Sequence, residues 1–186
     1  MEPESAPIIN ITGERVALGP MRRDLLDTYA RWINDFDTVK NLDLRREPMT
    51  RERELAWFEA ALAGRGTDVL FTIYEKDGLR PIGNTGLHEV NMLARTATYG
   101  VLIGEVDARG KGNGTEVTRL MARYGFECLG LGNIMLTVFE YNVAGIRAYT
   151  KAGYREFGRR HHAWFMDGRP WDVIYMECLA SSQALG

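Results

Sequence analysis

The stretch Arg109-Gly110-Lys111-Gly112-Asn113-Gly114-Thr115 joins an apolar run, "TYGVLI", to a helical pattern that begins near Asn113. A turn needs one glycine, or two. Three at alternate positions, flanked by cations, suit a main chain that must come close to something negative. The first N–H groups of a helix have no intrahelical partner, and the helix dipole adds partial positive charge there. With Arg109 and Lys111 added, the segment reads as a phosphate cradle; the alternative is a glycine-rich turn with solvated cations. Spacing excludes two nucleotide loops. The NTPase phosphate loop needs Gly-Lys-Ser/Thr, whereas Gly112 is followed by Asn113. The dinucleotide fingerprint needs a further glycine where the chain has Thr115 or Val117.

Other reactive side chains are scattered. Cys128 and Cys178 lack metal-ligand spacing, and Cys128 falls on the inner stripe of a helix, which reads as core. His161 and His162 are strand neighbours and cannot converge on a metal from one face. With Arg159 and Arg160 they form a basic spot. Asp35, Asp37 and Asp43 gather near the end of the first helical pattern, as solvated surface or as attractors of a cation.

The elements that must position these residues are legible from periodicity. "ERVALGP" reads as a strand ending at Pro20. "RRDLLDTYARWIND" places Leu25, Leu26, Tyr29 and Ile33 on one helical face. "MTRERELAWFEAALAG" is a second helix with Thr50 as N-cap, an inner stripe of Leu55, Phe58, Ala61 and Leu62, and Gly64 as its stop. Two strands turn at Asp77-Gly78, and "RTATYGVLIG" is the fourth strand. A helix from Asn113 to Leu129 follows, with Val117, Leu120, Met121, Tyr124 and Cys128 inward. "NIMLTVFEY" is a buried fifth strand, "NVAGIRAYTKAG" a short helix capped by Asn142, and the chain closes on a hairpin turning at Asp167-Gly168. Strands four and five, joined by a helix, predict a right-handed parallel crossover in a mixed sheet, hence an α+β fold with helices on both faces.

A net charge of -2 over 186 residues argues against a general nucleic-acid or membrane binder. The length suits one domain, over residues 13–180, between flexible segments at 1–12 and 181–186. Neither an apolar run of transmembrane length nor a secretory pattern is evident, and two cysteines suit a reduced, cytoplasmic chain.

The spacing of Arg109, Gly112 and Gly114 resembles the pyrophosphate loop of the GNAT family of N-acetyltransferases. A second motif agrees with it. After the next strand that family carries an Asn, a helix with Ala/Ser-Ile and a Tyr, then a Gly and an aromatic residue. Here Asn142, Ile146, Tyr149, Gly153 and Tyr154 stand in that order, with Gly145 departing from the usual Ala or Ser. The element order is similar from about residue 14 to 180. "PIGNTGLHEVN" and "DGRPWDVIYMECL" resemble the branch acting on ribosomal-protein N-termini, polyamines and other small amines.

This resemblance implies a mixed sheet of about seven strands in which strands four and five splay apart. It implies acetyl-CoA as co-substrate and no metal. The backbone near Leu102 and Ile103 would pair with the pantetheine arm. Arg109, Gly110, Lys111, Gly112, Asn113, Gly114 and Thr115 would hold the pyrophosphate, with Asn142 beside them. The Ile103 amide would face the carbonyl oxygen as it becomes negative. Tyr149 would protonate the departing thiolate, unless it only packs beside Ile146. A strand-four glutamate found in some members is missing, since Thr96, Ala97, Thr98 and Tyr99 stand there. Glu89 and His88 are the nearest bases, and strand alternation admits at most one of them. Glu89 is favoured for a cationic substrate; a solvated carboxylate at that position and proton loss through water are the alternatives. The basic spot at Arg159–His162 touches the CoA 3′-phosphate or solvent. The implied activity is acetyl transfer to a small amine, a polyamine or a protein N-terminus; the alternative is a silent acyl-CoA sensor. Homodimers are common among similar proteins, and the terminal hairpin offers an edge for one.

Overall fold

Alternating apolar residues in the strand segments assemble one eight-stranded sheet, of order β1-β2-β3-β4-β5-β6-β8-β7. The computed structural model describes residues 6–42, 47–63 and 67–183. The strands are β1 (Ile11–Thr12), β2 (Val16–Pro20), β3 (Val69–Glu75), β4 (Pro81–Asn91), β5 (Thr96–Ile103), β6 (Asn133–Phe139), β7 (Arg155–Met166) and β8 (Arg169–Leu179). The helices are α1 (Leu26–Asn34), α2 (Phe36–Val39), α3 (Arg51–Leu62), α4 (Asn113–Glu127), α5 (Val143–Lys151) and the single turn α6 (Ala180–Gln183). Among the described strands only β5 and β6 run parallel, as the crossover through α4 requires.

The eighth strand is the one the sequence did not announce. Ile11 and Thr12 pair with Leu18 and Ala17, and the Asn10 amide donates to the Leu18 carbonyl at 2.8 Å. The end of the 1–12 segment is therefore part of the sheet, not flexible. Two residues are too few to show strand periodicity. At the other end the chain continues past residue 180 as the helical turn α6.

Along β3 and β5 successive side chains enter two different cores. Phe71, Ile73, Ala97 and Tyr99 pack with Val117 and Met121 of α4 on one face. Leu70 and Leu102 pack against Leu26, Tyr29, Trp32 and Phe58 of α1 and α3 on the other. Each such side chain contributes about 1.5–3 kcal/mol when removed from water. No helix among the described residues is long and apolar enough to cross a membrane.

Two helix faces differ from the periodic expectation. On α3 the Thr50 hydroxyl caps the Arg53 amide at 3.3 Å as expected, but the buried residues are Glu54 and Phe58, and Leu62 is exposed. The helix rests on α1 along one edge, through a Tyr29–Phe58 ring stack, so its far end has nothing to cover it. The Gly64 stop lies outside the described residues. On α4 the expected core residue Cys128 is exposed. It is the C-cap, beyond the last residue facing the sheet. Gly125 takes the inward position there, where a Cβ would stand 2.6 Å from Ile134 Cδ1.

Candidate active site

The parallel pair is short. β5 and β6 are in register at Thr96↔Asn133, Ala97↔Ile134 and Thr98↔Met135, and no farther. Beyond Thr98 the two strands part, leaving one edge of β5 without a neighbour. Antiparallel pairing sends alternate backbone groups to opposite sides. The Gly104 amide donates to the Ile82 carbonyl at 2.8 Å, so Leu102 and Gly100 face β4 while Val101 and Ile103 face the gap. The backbone expected at Leu102 is thus occupied by β4, and Leu102 offers only its side chain.

A cavity of about 820 Å³ fills this gap and extends over both flanks of it. Its walls include Gly110, Gly112, Gly114 and Thr115 of the glycine loop, Asn142 and Tyr149 around α5, and Tyr29, Glu54 and Trp57 of α1 and α3.

The glycine loop forms as its composition requires. Gly110 and Gly112 adopt left-handed φ values of 71° and 90°, which only glycine takes without strain. Gly112 is the N-cap of the 15-residue α4 and supplies no side-chain cap. The first helical bond runs from the Glu116 amide to the Gly112 carbonyl, so the amides of Asn113, Gly114 and Thr115 have no intrahelical partner. Gly114 is the informative one. Its φ is not left-handed and a Cβ there would meet nothing within 4 Å, so no protein atom demands glycine. The space in front of it opens on the cavity, and these features fit a diphosphate.

The cations play another part. The Arg109 guanidinium donates to the Ile103 carbonyl at 2.9 Å, to the Gly104 carbonyl at 3.1 Å and to Thr38 Oγ1 at 2.8 Å. It lines the cavity while holding the end of β5 to α2. Lys111 is exposed, and Asn113 is buried with its Nδ2 on the Ala108 carbonyl; neither lines the cavity. Asn142 does line it, and accepts from the Gly145 amide at 2.9 Å. A Cβ on residue 145 would lie 2.5 Å from Asn142 Nδ2, which explains the glycine at this point of α5.

Tyr149 reaches the cavity with its ring 6.3 Å from both Tyr99 and Tyr154. Its hydroxyl bonds no protein atom among the described residues. Burial pushes the phenol up to about 12, so it is protonated across the neutral range.

The pair His88 and Glu89 is arranged differently from the expectation. The register of β4 against β5 shifts between His88 and Asn91, and Glu89 takes φ 52°. The shift begins beyond His88, which continues the alternation of Asn84 and Gly86 on the cavity face. Glu89 is exposed, 3.5 Å from Thr98 Oγ1, and does not line the cavity. His88 does. Its Nδ1 is 2.8 Å from Asp68 Oδ2, and its Nε2 lies about where the side chains of Gly86 and Gly100 would begin, 3.3 and 3.1 Å from their ideal Cβ positions. Burial opposes ionisation of Asp68, but the His88 bond and the Glu89 amide outweigh it and hold the carboxyl below its usual range.

Three features in or behind the cavity wall had no signal in the sequence. Asp68 precedes β3 and meets His88 only through strand pairing. Asn84 Oδ1 is buried without a hydrogen-bond partner. Glu54 carries a carboxyl group on a residue only 5% exposed. Neither Asp35 nor Asp37 lines the cavity. Asp35 caps α2 by accepting from the Asp37 amide, Asp37 is exposed, and Asp43 lies outside the described residues. Two members of the basic spot are engaged internally, Arg159 on Glu140 and Glu156 and His161 on Asp172. No group of three or more His, Cys, Asp or Glu side chains among the described residues is arranged to hold a metal ion.

The family model for the acetyltransferase (GNAT) domain matches residues 15–155. The chain belongs to the GNAT acetyltransferase family. Among GNAT relatives, spermidine N(1)-acetyltransferase of Escherichia coli is 32% identical over 113 residues, 61% of this chain and 59% of that enzyme. An uncharacterized N-acetyltransferase of Bacillus subtilis is 31% identical over 114 residues, 61% of this chain and 64% of that protein. The match therefore spans less than two thirds of either relative's length. In fold, spermidine N-acetyltransferase from Vibrio cholerae, solved with CoA and spermine, is similar at a TM-score of 0.83 and 22% identity, covering 92% of this chain and 99% of that one.

Proposed function

We propose that this GNAT protein transfers an acetyl group from acetyl-CoA directly to a primary amine, and that the amine belongs to a polyamine. One observation carries the reading. A single cavity joins the unpartnered amides at the head of α4 to an unpartnered phenol at Tyr149 and a histidine at His88. The spermidine acetyltransferases among its relatives support the choice of acceptor.

Bound acetyl-CoA would supply the thioester, and the chain supplies the rest. The amides of Asn113, Gly114 and Thr115 bind the diphosphate, and the gap-facing backbone of Val101 pairs with the pantetheine arm. An alkylammonium with a pKa of about 10 must lose a proton before it attacks. His88 Nε2 accepts it while Asp68 holds the other ring nitrogen. The new N–C bond forms as the C–S bond breaks, and the Ile103 amide donates to the oxygen that becomes negative.

Tyr149 donates to the departing sulfur. A phenol at about 12 gives a solvated thiolate at about 8.5 only a hydrogen bond. Burial raises the thiol as well, which brings the two acidities together in this desolvated space.

The test is thiol release from acetyl-CoA with spermidine, spermine, simple amines and a peptide N-terminus. Turnover fastest with a polyamine supports the reading. Thermal stabilisation by CoA without thiol release from any acceptor would instead favour a silent acyl-CoA-binding protein. A homodimer would use the edge strand β7, where Phe157 and Phe165 are exposed, and light scattering measures it.

A further inference from the structure

Among the described residues Glu54 has no counter-charge. It lies one helical turn before Phe58 on α3, 5% exposed, among Met21, Met49, Trp57 and Leu70 on the cavity wall. An isolated carboxylate in such surroundings is costly to keep unless something cationic meets it. Four described arginines of the flanking segments are engaged elsewhere. Arg22 pairs with Asp24, Arg23 with Glu59, Arg51 with Asp27 and Arg53 with Glu47. Among the described residues no side chain bonds the Glu54 carboxyl. Tyr29, the nearest polar group of α1 in the same wall, directs its hydroxyl to Thr72 Oγ1 at 2.6 Å. Burial accordingly raises the pKa of Glu54, with no neighbouring charge to oppose it.

The carboxyl opens on the same cavity as His88 and Tyr149, but from the α3 wall rather than from the sheet. Gly86 and Gly100 face each other across β4 and β5 and carry the His88 ring, with Leu70 beside Gly86. The next residues along that face are Asn84 and Leu102, and Asn84 Oδ1 has no hydrogen-bond partner among the described residues and lines the same cavity.

We infer that Glu54 binds a second ammonium group of the acceptor, so that the site selects amines carrying another cation beyond the reacting nitrogen. This rests on the acetyl-transfer reading above and adds to it the residue that determines acceptor choice. The apolar wall of Met21, Met49, Trp57 and Leu70 keeps water from screening the pair, which strengthens it. A neutral amine of equal length leaves the carboxyl unpaired and loses that interaction.

The experiment is calorimetric titration of the CoA-loaded protein with a series of α,ω-diamines and with the monoamines of equal length. The parent protein should bind the best diamine about tenfold or more above its monoamine. In Glu54→Gln, which keeps the shape and removes the charge, that preference should fall to within about twofold. Glu54→Asp, with the charge withdrawn by one methylene, should recover part of it and favour a longer diamine. A parent without diamine preference, or the same preference in Glu54→Gln, would overturn the assignment. Because binding is read without turnover, the two readings separate. Diamine selectivity lost in Glu54→Gln but no thiol release in the parent retires acetyl transfer and keeps the ammonium site; thiol release with unchanged selectivity does the reverse.

Discussion

His88 Nδ1 lies 2.8 Å from Asp68 Oδ2, and the bond fixes the ring with Nε2 over the bare Gly86–Gly100 pair. A histidine held at one nitrogen and open at the other is arranged to take a proton. His88→Ala should lower kcat about 10²-fold, and added imidazole should restore part of the rate, because the glycines leave room for it. Asp68→Asn should lower kcat about tenfold while leaving the KM for acetyl-CoA unchanged, with partial recovery in Asp68→Glu. Steady-state kinetics on these variants decides whether the dyad acts on the amine.

Tyr149 gives a sharper prediction because nothing among the described residues binds its hydroxyl. Tyr149→Phe should lower kcat about 10²-fold with little change in the affinity for CoA. The phenol, at about 12, should contribute no ionisation to the rate profile below about pH 11. A variant as fast as the parent would make Tyr149 a packing residue.

Gly114 separates stability from binding. Alanine there meets no protein atom and is the better helix former, by about 0.5–1 kcal/mol. Gly114→Ala should therefore raise the Tm of the free protein by about 1–4 °C. The same methyl group enters the space of the diphosphate and should weaken CoA about tenfold. Thermal shift with and without CoA measures both.

Glu54 should leave a mark on stability as well. Its pKa is raised in the folded protein, so the native state retains a proton that the unfolded chain gives up. The parent is therefore penalised as pH rises from the ordinary carboxylate range through the folded value. Glu54→Gln has no such penalty, and its Tm should gain on the parent between acid and neutral pH, by about 2–4 °C for each kcal/mol relieved. Parallel melting curves across pH would contradict the buried, unpaired state.

Arg109 tests whether the loop's charge or its backbone does the binding. Arg109→Gln removes donors to Ile103, Gly104 and Thr38, which should cost about 1.5–3 kcal/mol in urea unfolding. Arg109→Lys should recover only part of it, because an ammonium cannot reproduce the planar fork.

Local signals in the sequence determined the elements and the glycine loop on which the proposed diphosphate site rests. Glycine spacing, the Asn142 cap and the alternating strands each act over a few residues, so Gly110, Gly112 and Gly114 could be located from their neighbours alone, whereas Tyr149 was singled out by the resemblance. The acceptor end was decided by tertiary structure. His88 rather than Glu89 meets the cavity because it continues the alternation of Asn84 and Gly86, and which face of β4 meets the cavity is set by strands and helices distant in sequence. Asp68 and His88 are twenty residues apart and meet only across β3 and β4. Glu54 sits in "RERELAWF", where it reads as one more solvated acid. Only the docking of α3 on α1 removes that carboxyl from water, and burial without a partner is a property of packing that no stretch of chain encodes by itself.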